Sequence, residues 1–184
     1  LLAFSLALLA WPGTLRAEAG ELSQLRARLA GLAPPGAATG AAEGVHNSIH
    51  YVLDVAERIE RGFPLQAAEW RARARDQLAA AERGEDPFLA QRGRIVSRGY
   101  RSPISQRVQG YSVYVPPDYT PERRWPLMVV LHGGSSNGNL FLGVVLGNNM
   151  DWKTYDKHLW DRYDPRWSPP FIVVAPDGYG QVLW

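Results

Sequence analysis

The 184-residue sequence contains no cysteine, and that absence removes disulfides, thiolate catalysis and cysteine metal sites from consideration. An excess of charge of one sign is lacking too: 20 Lys and Arg face 18 Asp and Glu, for a formal net charge of +2. The pI is near 9.1, yet the basic residues are scattered among acidic ones, which leaves no stripe of the kind that binds nucleic acid. Histidine is scarce, with four in all. Two of these, His46 and His50, stand one helical turn apart, a spacing that can chelate a metal. The zinc-peptidase pattern needs a glutamate beside the first, however, and Asn47 stands there. A partly exposed surface pair is the plainer expectation, and neither a metal nor a cofactor is expected.

Long hydrophobic runs are also few. Residues 1–10 are almost wholly apolar, and Trp11-Pro12-Gly13 ends the run ahead of two small-residue exits, Leu15-Arg16-Ala17 and Ala17-Glu18-Ala19. As helix the run would span only ~15 Å, about half a bilayer core, so no stable membrane span is expected. The pattern is that of a signal-peptide core and exit. Segment 1–19 is therefore expected to be a partial signal peptide and the protein to be secreted or periplasmic. Residue 1 is Leu, with no basic leader before it, so the numbering is expected to begin inside the gene product.

What is present divides the remainder in two. Segment 20–90 is rich in Ala, Leu, Arg and Glu, good helix formers, interrupted by Pro34-Pro35-Gly36 and the Ala/Gly run up to Gly44. Two or three helices fit between Glu21 and Arg83. Val45, Ile49, Val52, Leu53, Ala56 and Ile59 recur at three- and four-residue steps, which predicts one apolar helical stripe. Gly62-Phe63-Pro64 ends that helix and starts another, which runs through Trp70 and Leu78 and is expected to lie antiparallel to the first. The stripe must be buried within its own helix pair or on whatever follows. The segment reads as an accessory unit ending near Asp86-Pro87.

From Gly93 the texture becomes that of strands. Ile95, Val96 and Tyr100, then Val108, Tyr111, Val113 and Val115, predict two antiparallel strands. The run Pro126-Leu127-Met128-Val129-Val130-Leu131 is continuously apolar, which predicts a strand covered by helices on both faces. Phe171-Ile172-Val173-Val174-Ala175 repeats the pattern about forty residues later, and a helix-length segment between the two predicts a βαβ unit. Segment 93–184 is thus expected to be α/β. Directly after the first buried run comes His132-Gly133-Gly134-Ser135-Ser136-Asn137-Gly138, a flexible loop rich in backbone donors at the carboxyl end of a strand, where open α/β sheets bind ligands. Two such N–H groups aimed at one oxygen can hold an oxyanion; an ordinary glycine-rich turn is the alternative.

The stretches Tyr111-Ser112-Val113-Tyr114-Val115-Pro116-Pro117-Asp118-Tyr119, Trp125 through Gly134, and Val173-Val174-Ala175-Pro176-Asp177-Gly178 together resemble the esterase and depolymerase branch of the α/β hydrolases. They are similar as well to the related prolyl-oligopeptidase-type serine peptidases. The resemblance covers roughly the last ninety residues and leaves the helical front outside it. It implies the N-terminal portion of an α/β-hydrolase sheet preceded by a small helical segment. It implies also that Gly133, Gly134 or Ser135 gives a backbone N–H to an oxyanion hole, the second donor following the nucleophile. His132 is then an orienting residue, because the family's catalytic histidine comes late in the chain order of nucleophile, acid, histidine.

The stretch Gly134-Ser135-Ser136-Asn137-Gly138 fits Gly-x-Ser-x-Gly in letters, but Ser135 and Ser136 both follow directly on the oxyanion strand, and neither is expected to be the nucleophile. Nucleophile, acid and base are expected beyond residue 184, and residues 93–184 are expected to be the first part of a truncated domain, inactive by itself. The aromatic-rich stretch Asn148-Asn149-Met150-Asp151-Trp152, with Tyr155, His158, Trp160, Tyr163 and Trp167, either walls a substrate pocket or packs an insertion on the sheet. Asp177 either lines the site or structures an Asp-Gly turn. The leading expectation is a secreted serine hydrolase acting on a small-molecule or polymeric carboxylic ester. The alternatives are a peptidase of prolyl-oligopeptidase type and, from another class, a non-catalytic α/β-hydrolase-like binding protein.

Overall fold

A computed structural model of the chain describes residues 12–32, 40–133, 136–147 and 165–178. Residues 1–10, the Pro34-Pro35-Gly36 linker, Gly134 and Ser135, and the stretch from Asn148 to Tyr163 lie outside them. Three helices come first, α1 (Pro12–Gly31), α2 (Ala41–Ile59) and α3 (Pro64–Glu82). They are followed by β1 (Ile95–Arg101), β2 (Val108–Tyr114), β3 (Leu127–Val129), α4 (Gly138–Val145) and β4 (Ile172–Pro176). The four strands form one mixed sheet in the order β1-β2-β4-β3, so the chain is built of helices and a mixed sheet. Among the described residues no helix is long and apolar enough to cross a membrane.

The helical part follows from its apolar spacing. Every position of the stripe from Val45 to Ile59 is buried in α2. Leu22, Leu25 and Leu29 of α1, and Ala67, Trp70, Ala74 and Leu78 of α3, supply the facing rows of one cluster. Pro64 occupies the first helical turn of α3, where its missing N–H costs nothing. Ion pairs join the helices at their margins: Arg26 to Asp54 at 2.8 Å and to Glu57 at 2.6 Å, and Arg28 to Glu82 at 2.8 Å. Pairs this exposed contribute little, about 0–1 kcal/mol each. Arg71 differs, since its side chain is 3% exposed and it bonds both Glu21 and Glu60; a buried charge of this kind must keep its partners.

Helix α2 has a second buried face, and this one meets the sheet. Ser48 Oγ accepts from Arg98 Nε at 2.9 Å and from the Gly99 N–H at 3.1 Å. Tyr51 lies over Gly99 and Gly110. A Cβ on Gly99 would stand 2.9 Å from Tyr51 Cβ, and one on Gly110 would stand only 2.2 Å from two carbons of the Tyr51 ring. These two glycines let helix and sheet approach closely, and Val96, Val108 and Val113 join the helical core. The stripe is therefore buried both among the helices and on the strands.

His46 departs from the expected surface pair. It is buried at 9% exposure, whereas His50 is half-buried and bonds Asp54 at 3.0 Å. Position 46 sits on the side of α2 turned to the helical core. Burial, and then the neighbouring His50, hold its pKa below the usual imidazole range. Among the described residues no group of three His, Asp or Glu side chains converges on a point where a metal ion could sit.

On the sheet's other face, α4 packs Leu142 and Leu146 against Ile95, Tyr114, Val173 and Ala175. Strands β1 and β2 pair antiparallel from Ile95↔Tyr114 to Arg101↔Val108, and β3 pairs parallel with β4 from Leu127↔Ile172 to Val129↔Val174. The β3-α4-β4 connection is the expected βαβ arrangement. The expectation of a strand covered on both faces is corrected for 126–131. Leu127, Val129 and Leu131 are 61%, 57% and 57% exposed. The reason lies in the strand order, since β3 is at the sheet's edge and α4 lies over β4, β2 and β1 instead.

Candidate functional site

Two parallel strands end side by side, so the segments that follow β3 and β4 emerge together at one edge of the sheet. The first of these is the glycine-rich loop. Val130 still belongs to the ladder, its N–H donating to Val174 O at 2.8 Å. His132 then turns inward to 5% exposure and Gly133 outward. The loop closes on Asn137, whose Oδ1 accepts from the Leu140 N–H at 2.8 Å and caps α4.

His132 joins the two segments. The Gly178 N–H donates to its Nε2 at 3.0 Å, and its Nδ1 lies 2.9 Å from Gly133 O. A carbonyl can only accept, so Nδ1 carries the proton and Nε2 the lone pair. Both ring nitrogens are engaged. Such an imidazole braces one loop against the other and has no lone pair left to take a proton from a serine. Ser136 donates instead to Asn137 O at 3.5 Å, with no histidine bonded to it among the described residues.

Asp177, the first residue after β4, makes a second brace. Its backbone N–H donates to Gly110 O at 3.0 Å, Oδ1 accepts from the Gly138 N–H at 2.7 Å, and Oδ2 accepts from the Tyr51 hydroxyl. A carboxylate at the first N–H of a helix is well placed against the helix dipole. Tyr51 remains a donor: burial, reinforced by the Asp177 charge, pushes its phenol well above the usual tyrosine range. One residue thus ties α2 and the start of α4, through its carboxylate, and β2, through its backbone N–H, to the end of β4. Tyr51 and Gly110 carried no sequence signal for this role, because the tyrosine reads as one more helical aromatic.

Gly138 completes the arrangement. A Cβ there would stand 2.8 Å from Asp177 Oδ1 and closer still to Ala175 O, and backbone cannot yield as a side-chain tip can. Gly138→Ala is expected to destabilise the fold by about 1–3 kcal/mol. Denaturant melts check this, and an unchanged midpoint would show that α4 can shift without cost.

Gly133 is the opposite case. Among the described residues nothing lies within 4 Å of the position a Cβ would take. Its N–H has no hydrogen-bond partner among the described residues, while the amides of Gly138, Leu140 and Gly178 are all engaged. Among the described residues the loop therefore holds one backbone donor without a partner, beside a hydrogen-bonded frame. Gly134 and Ser135, the other two expected donors, lie outside the described residues. Of the aromatic stretch, Trp167 is described: it is half-exposed and meets the Phe171 ring edge-on at 5.7 Å.

No protein-family model matches the chain, and no curated protein matches it. One solved structure, that of a thermostable esterase, aligns with 24% identity over 45% of this chain at a TM-score of 0.27. The chain spans 20% of that protein's length. So distant a likeness carries no argument about this site, whose reading rests on the mixed sheet and the braced loop at its edge.

Proposed function

We propose that the chain is the front of a secreted serine hydrolase of the α/β-hydrolase kind, acting on carboxylic esters through an acyl-enzyme. Its 132–135 loop furnishes one oxyanion donor. The observation that carries this reading is the N–H of Gly133, without a partner among the described residues, on a loop that leaves the third strand, opens a helix and is braced by His132 against Gly178. That is the place in a strand-loop-helix unit from which α/β hydrolases take an oxyanion donor. The two engaged nitrogens of His132 support the orienting role. Nucleophile, acid and base are assigned to sequence not contained in these 184 residues, since Ser136, the serine of Gly134-Ser135-Ser136-Asn137-Gly138, has no histidine bonded to it among the described residues and His132 has no lone pair to offer. Export rests on the apolar run 1–10 and the exits at Ala17 and Ala19.

The test is direct. The reading frame that contains this chain should encode, outside these 184 residues, a further Gly-x-Ser-x-Gly followed by an Asp or Glu and a His, and its folded product should be acylated by a fluorophosphonate probe of serine hydrolases. Intact mass of the product recovered outside the cytoplasm should show that the leader has been removed. Folded protein that takes up no probe would refute the enzyme reading and favour a binding protein on the same scaffold.

A further inference from the structure

A cleft of about 200 Å3 opens where the end of β4 meets the start of β2 and the middle of α2, with Arg58, Arg107, Asp54, Asp177, Tyr51 and Gly178 in its wall. Two arginines and two aspartates would cancel if they paired with one another, but they do not. Asp54 is taken by Arg26 at 2.8 Å and by His50 at 3.0 Å. Asp177 is taken by the Gly138 N–H and the Tyr51 hydroxyl. Arg58 and Arg107 are exposed, and neither forms an ion pair among the described residues. Arg58 does lie by the Tyr51 hydroxyl, but a phenol carries no charge to neutralise a guanidinium.

We propose that this cleft binds a small oxyanion, a carboxylate or phosphate group held between the guanidinium groups of Arg58 and Arg107. A guanidinium presents a planar fork of donors that matches two oxygens of such a group. The rest of the wall suits a ligand with an apolar body, since Tyr51, Val108 and Gly110 line it as well. The cleft is distinct from the Gly133 donor and does not depend on the hydrolase reading, although Gly178 borders both.

The test compares thermal melts of the purified protein in sodium phosphate and in sodium benzoate with melts in sodium chloride at equal ionic strength. A ligand that binds the folded state alone raises the melting temperature. The wild type should melt higher in at least one of the two anions than in chloride, whereas Arg58→Gln and Arg107→Gln should lose the rise. Arg124→Gln, at an exposed arginine remote from the cleft wall, should keep it. Calorimetric titration should show affinity at least about tenfold weaker in either cleft variant, as expected when a charge-assisted bidentate contact is lost. A rise in phosphate alone identifies a phosphate group as the ligand, and one in benzoate alone a carboxylate on an apolar body. No rise over chloride in either anion, or an equal rise in all four proteins, would overturn the proposal.

Discussion

Gly133→Pro should lower kcat of the complete hydrolase by about 10²–10³-fold, the loss that follows removal of one preorganised oxyanion donor. Proline removes the N–H and holds φ near −65°. Gly133→Ala is the control that the structure supplies, because none of the described residues lies within 4 Å of the new methyl group and the N–H stays. The alanine variant should therefore turn over at close to the wild-type rate. The loss in the proline variant should appear in kcat and kcat/KM together, since the donor acts on charge that develops only in the transition state. Gly134→Pro and Ser135→Pro complete the series. Should all three proline variants fold and keep near-normal turnover, the loop is an ordinary turn and the oxyanion assignment is wrong.

Removal of residues 1–83 should yield no soluble, cooperatively folded protein. The resemblance begins only near Gly93, which reads as a dispensable front segment, but the packing points to the reverse outcome. Deletion would uncover Val96, Val108 and Val113, which share a core with the helices. It would also strip the Gly99 N–H and Arg98 of Ser48, and Asp177 of Tyr51. Water can take up those polar groups once the helices are gone, so the cost lies in the apolar surface laid bare, about 25 cal/mol for each Å2. Domains are stable by only about 5–15 kcal/mol in total. Size-exclusion chromatography and a circular-dichroism melt decide the matter, and a monomeric truncated protein with a sharp transition would show that the sheet folds without its helices. Gly110→Val addresses the same interface without deletion, since its side chain would occupy the space of the Tyr51 ring. It should destabilise in the same direction.

The parts of this fold that were legible before any coordinates share a property: each is set by residues a few positions apart. The stripe from Val45 to Ile59 repeats at the helical period, and all of it is buried. The alternation in 95–101 and 108–114 marked the hairpin, and Pro64 marked the start of α3. The second face of α2 escaped notice because Asn47, Ser48 and Tyr51 carry polar atoms, which in a periodicity reading turn to solvent. Here Ser48 and Tyr51 find their partners on the sheet side, and all three are as buried as the stripe.

Local pattern also misled at β3. A continuous apolar run has the same appearance in the middle of a sheet as at its edge, and whether Leu127 and Val129 are covered depends on where α4 comes to rest. The loop 132–138, its backbone donors and its place after a strand can be read from contiguous residues, because glycine content and an apolar run are local properties. That His132 is a brace rather than a base, and that Gly138 is crowded while Gly133 is not among the described residues, comes from tertiary packing. It alone joined Tyr51 to Asp177 across 126 positions. A hydrogen bond between groups so far apart in the chain leaves no periodicity in either neighbourhood; it exists only once helix and sheet have docked.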